Sequence, residues 1–434
     1  MNNNEQIRFA GDISIETIKI ITANGFGQEI TNQVVALEVY EDLYSPFISG
    51  IIAVKETLDF INLFPFVGEE YIEINVYTPS FTERNMTIND QFIIHKVTNR
   101  AQAGDRSVVY ELHFMSREAL VDLNKRPSMA FEGKISDIAR SMLTNKEHGL
   151  ETTKNVVIEE TMNGTKYVSN FWSPIKNLNF LSQKALNLNN TPSYLFFENR
   201  NGFNFQSLEN MYNSDVQQEF IYDGYDRDTT IAGETKRNIE EDYKRIIDIE
   251  IPVYYDLIEK TKMGMYSSKK TSHDIVTKRY SIKIFDILEQ HPEKSHLNEF
   301  PAISNKSIRR GDQLHMMSEQ HYGSFNGYKY ISSGTTQERR SLLKQAETTK
   351  INIIVPGRTD YTVGAKVNLL INKFNPIRMS ESDVTDKMLS GNYIISSINH
   401  VIDRERHECT MELIKDTIQL NPDKGDESWR YILV

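Results

Sequence analysis

Phe92-Ile93-Ile94-His95-Lys96-Val97 and, far down the chain, Tyr393-Ile394-Ile395-Ser396-Ser397-Ile398 share one pattern: an aromatic residue, two isoleucines, two polar residues and a β-branched residue. Each is followed at the same distance by a second alternating segment. Tyr110-Glu111-Leu112 and Met411-Glu412-Leu413 begin 18 positions after Phe92 and Tyr393, respectively. Each is also preceded by a glycine turn that leads into a strand, Val67-Gly68-Glu69-Glu70-Tyr71-Ile72 and Val363-Gly364-Ala365-Lys366-Val367-Asn368. Self-similarity of this kind points to one supersecondary unit used twice. In each copy a strand after a Gly turn is followed by a hairpin that closes a small antiparallel barrel or sandwich. Any two antiparallel hairpins share hydrophobic periodicity, so the equal hairpin spacing carries the argument for duplication. The residues that define the repeat are Gly68, Phe92 and Tyr110 in one copy and Gly364, Tyr393 and Met411 in the other.

The flanking sequence extends both copies. Ile72, Ile74 and Val76 alternate with Tyr71, Glu73, Asn75 and Tyr77, as a half-buried strand does. Val108, Tyr110, Leu112 and Phe114 repeat the pattern, and Val35, Leu37 and Val39 form a third such face. Gly104-Asp105 is a turn signal between two strands. The chain is therefore β-rich up to about Met115. The period then changes. Ile135, Ile138, Ala139, Met142 and Leu143 form one face of an amphipathic helix. Ser173-Pro174 opens a second helix, whose buried face is Ile175, Leu178, Leu181, Ala185 and Leu186. Tyr194–Glu198 and Gly202–Gln206 read as strands joined by an Asn199-Arg200-Asn201 turn. Asp223 to Arg245 is highly charged and reads as a solvated helix or a connection. Ile246 to Val253 reads as a strand, with Ile247, Ile249 and Ile251 on one face. Lys260 to Gln345 is polar and offers no strand pattern, although Ser341–Ala346 suits a short helix. Strands return at Ile351–Val355, Lys366–Ile371, Asn392–Ile398 and Glu408–Ile414, and a polar tail follows Leu420.

Composition excludes several classes. The 434 residues include 39% hydrophobic and 25% charged side chains, too apolar for a disordered chain. No apolar run approaches the roughly 18 residues a membrane helix needs, and Met1–Gln6 has neither the basic nor the apolar part of a signal peptide. A soluble, multi-domain protein made in the cytoplasm is expected. The single cysteine, Cys409, excludes a disulfide framework. A formal charge of −11 supplies no basic footprint for gripping nucleic acid, and Arg309-Arg310, Arg339-Arg340 and Lys269-Lys270 are short and scattered. His291, Glu293 and His296 lack the spacing of a helical zinc motif, and His315, His321, His400 and His407 form no ligand set in sequence. Asp223, Asp226 and Asp228 depart from a calcium loop. Nucleophile-elbow and phosphate-loop motifs are missing. No catalytic, metal or cofactor residues are expected, and the chain reads as a non-enzyme.

Three stretches taken together resemble baseplate hub proteins of contractile-tailed bacteriophages, a family related to the hub portion of type VI secretion spike proteins. The first is Arg126-Pro127-Ser128-Met129-Ala130-Phe131-Glu132-Gly133-Lys134, running into Ile135-Ser136-Asp137-Ile138. The second is Phe171-Trp172-Ser173-Pro174 with Tyr194 to Phe205. The third comprises Val355-Pro356-Gly357, Thr362 to Val367, Ser390 to His400 and Leu413-Ile414-Lys415-Asp416. The resemblance implies an α+β, mainly β fold with two similar tube-like antiparallel β-barrel domains and an inserted α+β domain. Mapped onto this chain, the first barrel covers 1–115 and the clamp-like insertion 116–215 and 255–345. The second barrel covers 216–254 and 346–418, and a tail covers 419–434. The resemblance also implies a structural virion protein of the tail baseplate, synthesised in the host cytoplasm. It would be a homotrimer that adapts the six-fold tail tube above to a three-fold spike below. DNA would pass through its lumen without sequence-specific binding, and no membrane is involved. A receptor- or carbohydrate-binding tail protein is the alternative, and it would need exposed aromatics where only Trp172 and Trp429 are tryptophans. A glycan hydrolase with a buried carboxylate pair is a third reading.

Overall fold

The computed structural model describes residues 6–22, 24–58, 60–63, 66–81, 83, 86–104, 106–222, 239–274, 278, 280–304, 314–319, 332–373, 385–404 and 406–424. The first part of the chain lays down β1 (Ser14–Ile21), β2 (Gly27–Glu29), β3 (Val34–Asp42), β4 (Ser49–Glu56), α1 (Phe60–Leu63), β5 (Tyr71–Tyr77), β6 (Thr87–Gln102) and β7 (Val108–Ser116). The strands pair in the order β3-β4-β7-β6-β5-β1-β2, antiparallel throughout. Period-two alternation places Ile72, Ile74 and Val76 of β5 and Tyr110, Leu112 and Phe114 of β7 in one core. Phe92 and Phe114 pack there with ring centroids 4.9 Å apart. One expected face is corrected. Val35 is 46% exposed and Val34 is buried, because the β3–β4 register shifts between Val34 and Ala36. One extra residue in a strand moves the preceding side chains to the opposite face.

A middle module follows, with α2 (Arg117–Asn124), β8 (Ala130–Lys134), α3 (Ile135–Thr144), β9 (Val156–Ile158), β10 (Gly164–Val168), α4 (Pro174–Ser182), β11 (Tyr194–Asn199), β12 (Gly202–Ser207) and α5 (Leu208–Tyr212). The helix signals read from sequence hold. The α3 face Ile135, Ile138, Ala139, Met142 and Leu143 packs with Leu178 and Leu181 of α4 in one core. The Ser173 hydroxyl accepts a hydrogen bond from the Lys176 amide at 3.3 Å, and Pro174 opens the helix.

The remainder comprises β13 (Val216–Tyr222), α6 (Ile239–Asp242), β14 (Asp248–Val253), α7 (Leu257–Lys262), β15 (Ser267–Asp274), β16 (Tyr280–Asp286), α8 (Ile287–Gln290), β17 (Phe300–Pro301), β18 (Leu314–Glu319), α9 (Ser332–Ala346), β19 (Thr349–Pro356), β20 (Lys366–Ile371), β21 (Gly391–Asp403), β22 (His407–Lys415) and β23 (Thr417–Ile418). The stretch from Lys260 to Gln345, read as strandless, contains a three-stranded sheet in the order β16-β15-β18. The sequence hid it because β15 reads Ser-Ser-Lys-Lys-Thr-Ser-His-Asp, with no apolar residue to reveal the period. Helix α9 starts at Ser332, well before the expected Ser341. Asp105, Asp223, Asp226, Asp228, Arg309, Arg310, His321 and Trp429 lie outside the described residues.

The second β-rich part pairs in the order β14-β19-β22-β21-β20-β13 around its own core. Strand β21 also pairs antiparallel with β3, so both parts share one 13-stranded sheet. The fold is α+β and mainly β, as expected from the sequence.

Candidate assembly interface

Cross-strand register aligns the two β-rich parts residue by residue. In the first, Ile94 faces Phe114, the register shifts, and Lys96 then faces His113 and Val97 faces Leu112. In the second, Ile395 faces Leu413, the register shifts, and Ser397 then faces Glu412 and Ile398 faces Met411. The bulge falls at the same place in both hairpins. Strands β4 and β19 add to the likeness, since Ile52 pairs with Leu112 and Ile353 with Met411. Met411 therefore occupies the place of Leu112, and not that of Tyr110 as the equal spacing implied. The two-residue difference leaves the buried face unchanged and is taken up nearer the hairpin loop. Phe92 and Tyr110 lie in the first core, Tyr393 and Met411 in the second, and all four are buried. Gly68 and Gly364 both adopt left-handed backbone, with φ of 92° and 82°, where a side chain is strained.

The seam between the parts is a built joint. Ser397 to Asp403 of β21 run beside Asp42 to Ala36 of β3. Glu41 is buried beneath it and accepts hydrogen bonds from the Thr362 hydroxyl at 2.6 Å and the Val363 amide at 3.2 Å. Burial raises its pKa, while these donors and the Arg200 guanidinium oppose the rise. Thr78 and Thr359 exchange amide-to-hydroxyl bonds of 3.0 Å in both directions. The β11–β12 hairpin reaches the same loop: Asn199 Nδ2 donates to the Val363 carbonyl at 3.2 Å, and Arg200 donates to the Asp360 carbonyl.

A histidine pair ties the segment before β17 to the end of β22. His296 Nδ1 lies 2.6 Å from Asp416 Oδ2, and its ring stacks on His291 with centroids 3.8 Å apart. Burial lowers the His296 pKa, but Asp416 overrides this and the net shift is upward. For His291, burial and the neighbouring imidazole lower the pKa to about 4. The signs oppose each other. The His296 contribution to stability is full below its unfolded value and is lost as pH rises through the raised folded value. The His291 contribution is full above its unfolded value and is lost as pH falls towards 4. Proton NMR of the full chain is expected to show one histidine titrating above about 6.5 that drops below it in Asp416→Asn. An unchanged titration would refute the assignment.

Sequence reasoning missed one group. The β21–β22 hairpin brings His400, His407 and Cys409 together, all buried, with ligand atoms 3.1 to 3.4 Å apart. The signal was cross-strand pairing, since His400 faces Cys409, and sequence spacing alone does not display it.

Among the described residues, two strand edges lack the partner that their counterparts in the repeat have. Lys96–Gln102 of β6 pair only with β7, although the equivalent part of β21 also pairs with β3. Asp248–Val253 of β14 pair only with β19, although the equivalent β3 also pairs with β21. Each open edge carries one extra residue at the corresponding place: β6 between Thr98 and Ala101, and β14 between Glu250 and Val253. The β6 edge holds Lys96 and Arg100 with no acidic residue, and the β14 edge holds Asp248 and Glu250 with no basic one. An exposed edge is a template for another chain.

Comparison with known proteins adds an independent line. The chain is 20% identical over 443 residues to a probable baseplate hub protein of Vibrio phage KVP40, covering 95% of this chain and 97% of that one. This chain resembles a phage baseplate hub protein throughout its length. A tail protein from Neisseria meningitidis shares the fold with a TM-score of 0.55 at 8% identity, over 92% of this chain and 96% of that one. The 43 kDa tail protein of prophage MuSo2 from Shewanella oneidensis shares it with a TM-score of 0.51 at 8% identity, over 92% and 98%. No family model matches the hub-like chain. Its relatives are structural tail and hub proteins, and no enzyme family is indicated. Among the described residues, no helix is long and apolar enough to cross a membrane.

Proposed function

We propose that this chain is a subunit of a trimeric baseplate hub in a phage virion, in which three copies set six similar barrels in a ring. The observation that carries the reading is the repeated strand order with its internal β21–β3 joint, which leaves one matching open edge of each kind. Pairing β6 of one copy with β14 of the next repeats the internal joint between chains. Such a head-to-tail contact forms a ring when its rotation closes. The resemblance to hub proteins supplies the number three. The ring adapts the six-fold tail tube to a three-fold central spike. Its acidic balance lets DNA pass through the lumen without holding it. In this reading the two strand parts are the barrels 1–115 and 216–254 with 346–418, and 116–215 with 255–345 forms the clamp.

Native mass spectrometry of the isolated chain tests this. A species of three times 50.2 kDa is expected. A monomer at every concentration, or a dimer with no larger species, would overturn the trimer.

A further inference from the structure

His400 sits on β21, where it faces both Val39 of β3 and Cys409 of β22. His407 opens β22, two residues before Cys409. His400 Nδ1 lies 3.1 Å from His407 Nε2, and Cys409 Sγ lies 3.3 and 3.4 Å from these two nitrogens. All three residues are 0% exposed. The His407 backbone is held on both sides, its amide donating to the Gly11 carbonyl at 2.9 Å and its carbonyl accepting from the Gly357 amide at 2.8 Å. A Cβ at Gly357 would come within 2.3 Å of the His407 ring, so backbone packs directly against the imidazole and fixes its orientation.

A hydrogen-bonded triad covers at most two edges of this triangle, because an imidazole nitrogen either donates or accepts and only the thiol can do both. Among the described residues, His407 Nδ1 and the Tyr361 hydroxyl are buried without hydrogen-bond partners, and Tyr361 interacts electrostatically with Cys409. A cation at the centre satisfies all three inward atoms at once. For metal–nitrogen bonds of about 2.05 Å and a metal–sulfur bond of about 2.3 Å, tetrahedral angles require separations of about 3.3 Å (N···N) and about 3.6 Å (N···S). The observed values lie within about 0.3 Å of these. Burial keeps both imidazoles neutral, which is their ligand form.

We propose that His400 Nδ1, His407 Nε2 and Cys409 Sγ bind one zinc ion that staples the β21–β22 hairpin beneath the β21–β3 seam. Binding releases the Cys409 thiol proton, leaving a thiolate and two neutral imidazoles on the metal. Burial pushes the Cys409 thiol pKa up, with Asp360 and Glu41 adding to the rise against Arg358, so the thiolate forms only with the cation in place. Two imidazoles and a thiolate suit zinc better than magnesium or calcium.

Because the cluster is buried, metal must enter as the chain folds, so the test uses protein expressed with the metal present. Full-length protein from zinc-supplemented cells, treated with EDTA after folding, is expected to retain about one zinc per chain by elemental analysis. Protein from cobalt-supplemented cells is expected to show thiolate-to-cobalt absorption in the near ultraviolet. Both signals should vanish in Cys409→Ser. Folded wild-type protein with less than about a tenth of an equivalent of metal and no cobalt bands would overturn the site. The wild-type measurements decide the question even if the variant does not fold.

Discussion

In the proposed ring, Glu250→Arg is expected to leave the chain monomeric, and Arg100→Glu in the same chain is expected to restore assembly. The open edge of β14 carries Asp248 and Glu250, and that of β6 carries Lys96 and Arg100. Counting from the paired residues on either side of the two bulges, Ala101 falls opposite Glu250 and Thr98 opposite Val253 when β6 meets β14 of the next copy. Arg100 is one residue from the position opposite Glu250, and with Lys96 it gives that edge its positive charge. Reversing one charge replaces an attraction with a like-charge contact at every junction of the ring. At about 1.4 kcal/mol per junction, each contact weakens tenfold, and a closed ring loses all its junctions together. Sedimentation at micromolar protein should show monomer for Glu250→Arg and trimer for the double variant. The register has its own check: Thr98→Cys with Val253→Cys should give disulfide-linked trimers on a non-reducing gel, because directly opposed residues come within bonding distance. A charge-reversed protein that remains trimeric, or paired cysteines that never cross-link, would place the interface elsewhere.

Glu198→Ala is expected to cost about 3 to 5 kcal/mol in urea unfolding, the range for breaking one partner of a buried ion pair. Glu198 sits at the end of β11 and is buried. Its carboxylate accepts from the Ile48 amide at 2.9 Å, the Ser116 hydroxyl at 2.6 Å and Lys154 Nζ at 2.7 Å. Burial pushes the Glu198 pKa up to about 7 against the pull of Lys154. Glu198 and Asp90 hold the Lys154 pKa above the ordinary range against its own burial, so the pair keeps its charges through each other. Truncation leaves that ammonium with Asp90 at 3.5 Å and removes the acceptor for two donors of the first β-rich part. Adding Lys154→Met should recover much of the loss, because the stranded charge goes with it. A single-variant cost below about 1 kcal/mol would show that water replaces the carboxylate.

The strands at both ends were legible because their faces are half buried: Ile72, Ile74 and Val76, or Ile351, Ile353 and Val355, alternate cleanly with polar neighbours. Helices α3 and α4 were legible through their apolar stripe and the Ser173-Pro174 start. Strand β15 was not, because its period rests on serine, lysine and threonine, and Lys270, Ser268 and Ser272 are buried there without an apolar marker. The repeat was visible as spacing, but its register was not: a two-residue offset preserves every inward side chain, so periodicity cannot distinguish Tyr110 from Leu112 as the counterpart of Met411. The open edges and the His400–His407–Cys409 cluster are properties of pairing between strands distant in sequence, which a linear reading does not contain.

The two β-rich parts differ in the direction of one outer strand. β1 runs antiparallel to β5, whereas β13 runs parallel to β20. In a ring of three such chains, every second position would carry the reversed strand on its rim. A six-fold partner could dock in six equivalent phases, but a three-fold partner reading that rim would find only three. In such a ring the reversed strand would act as an index mark that sets the rotational phase between two stacked objects of unequal order.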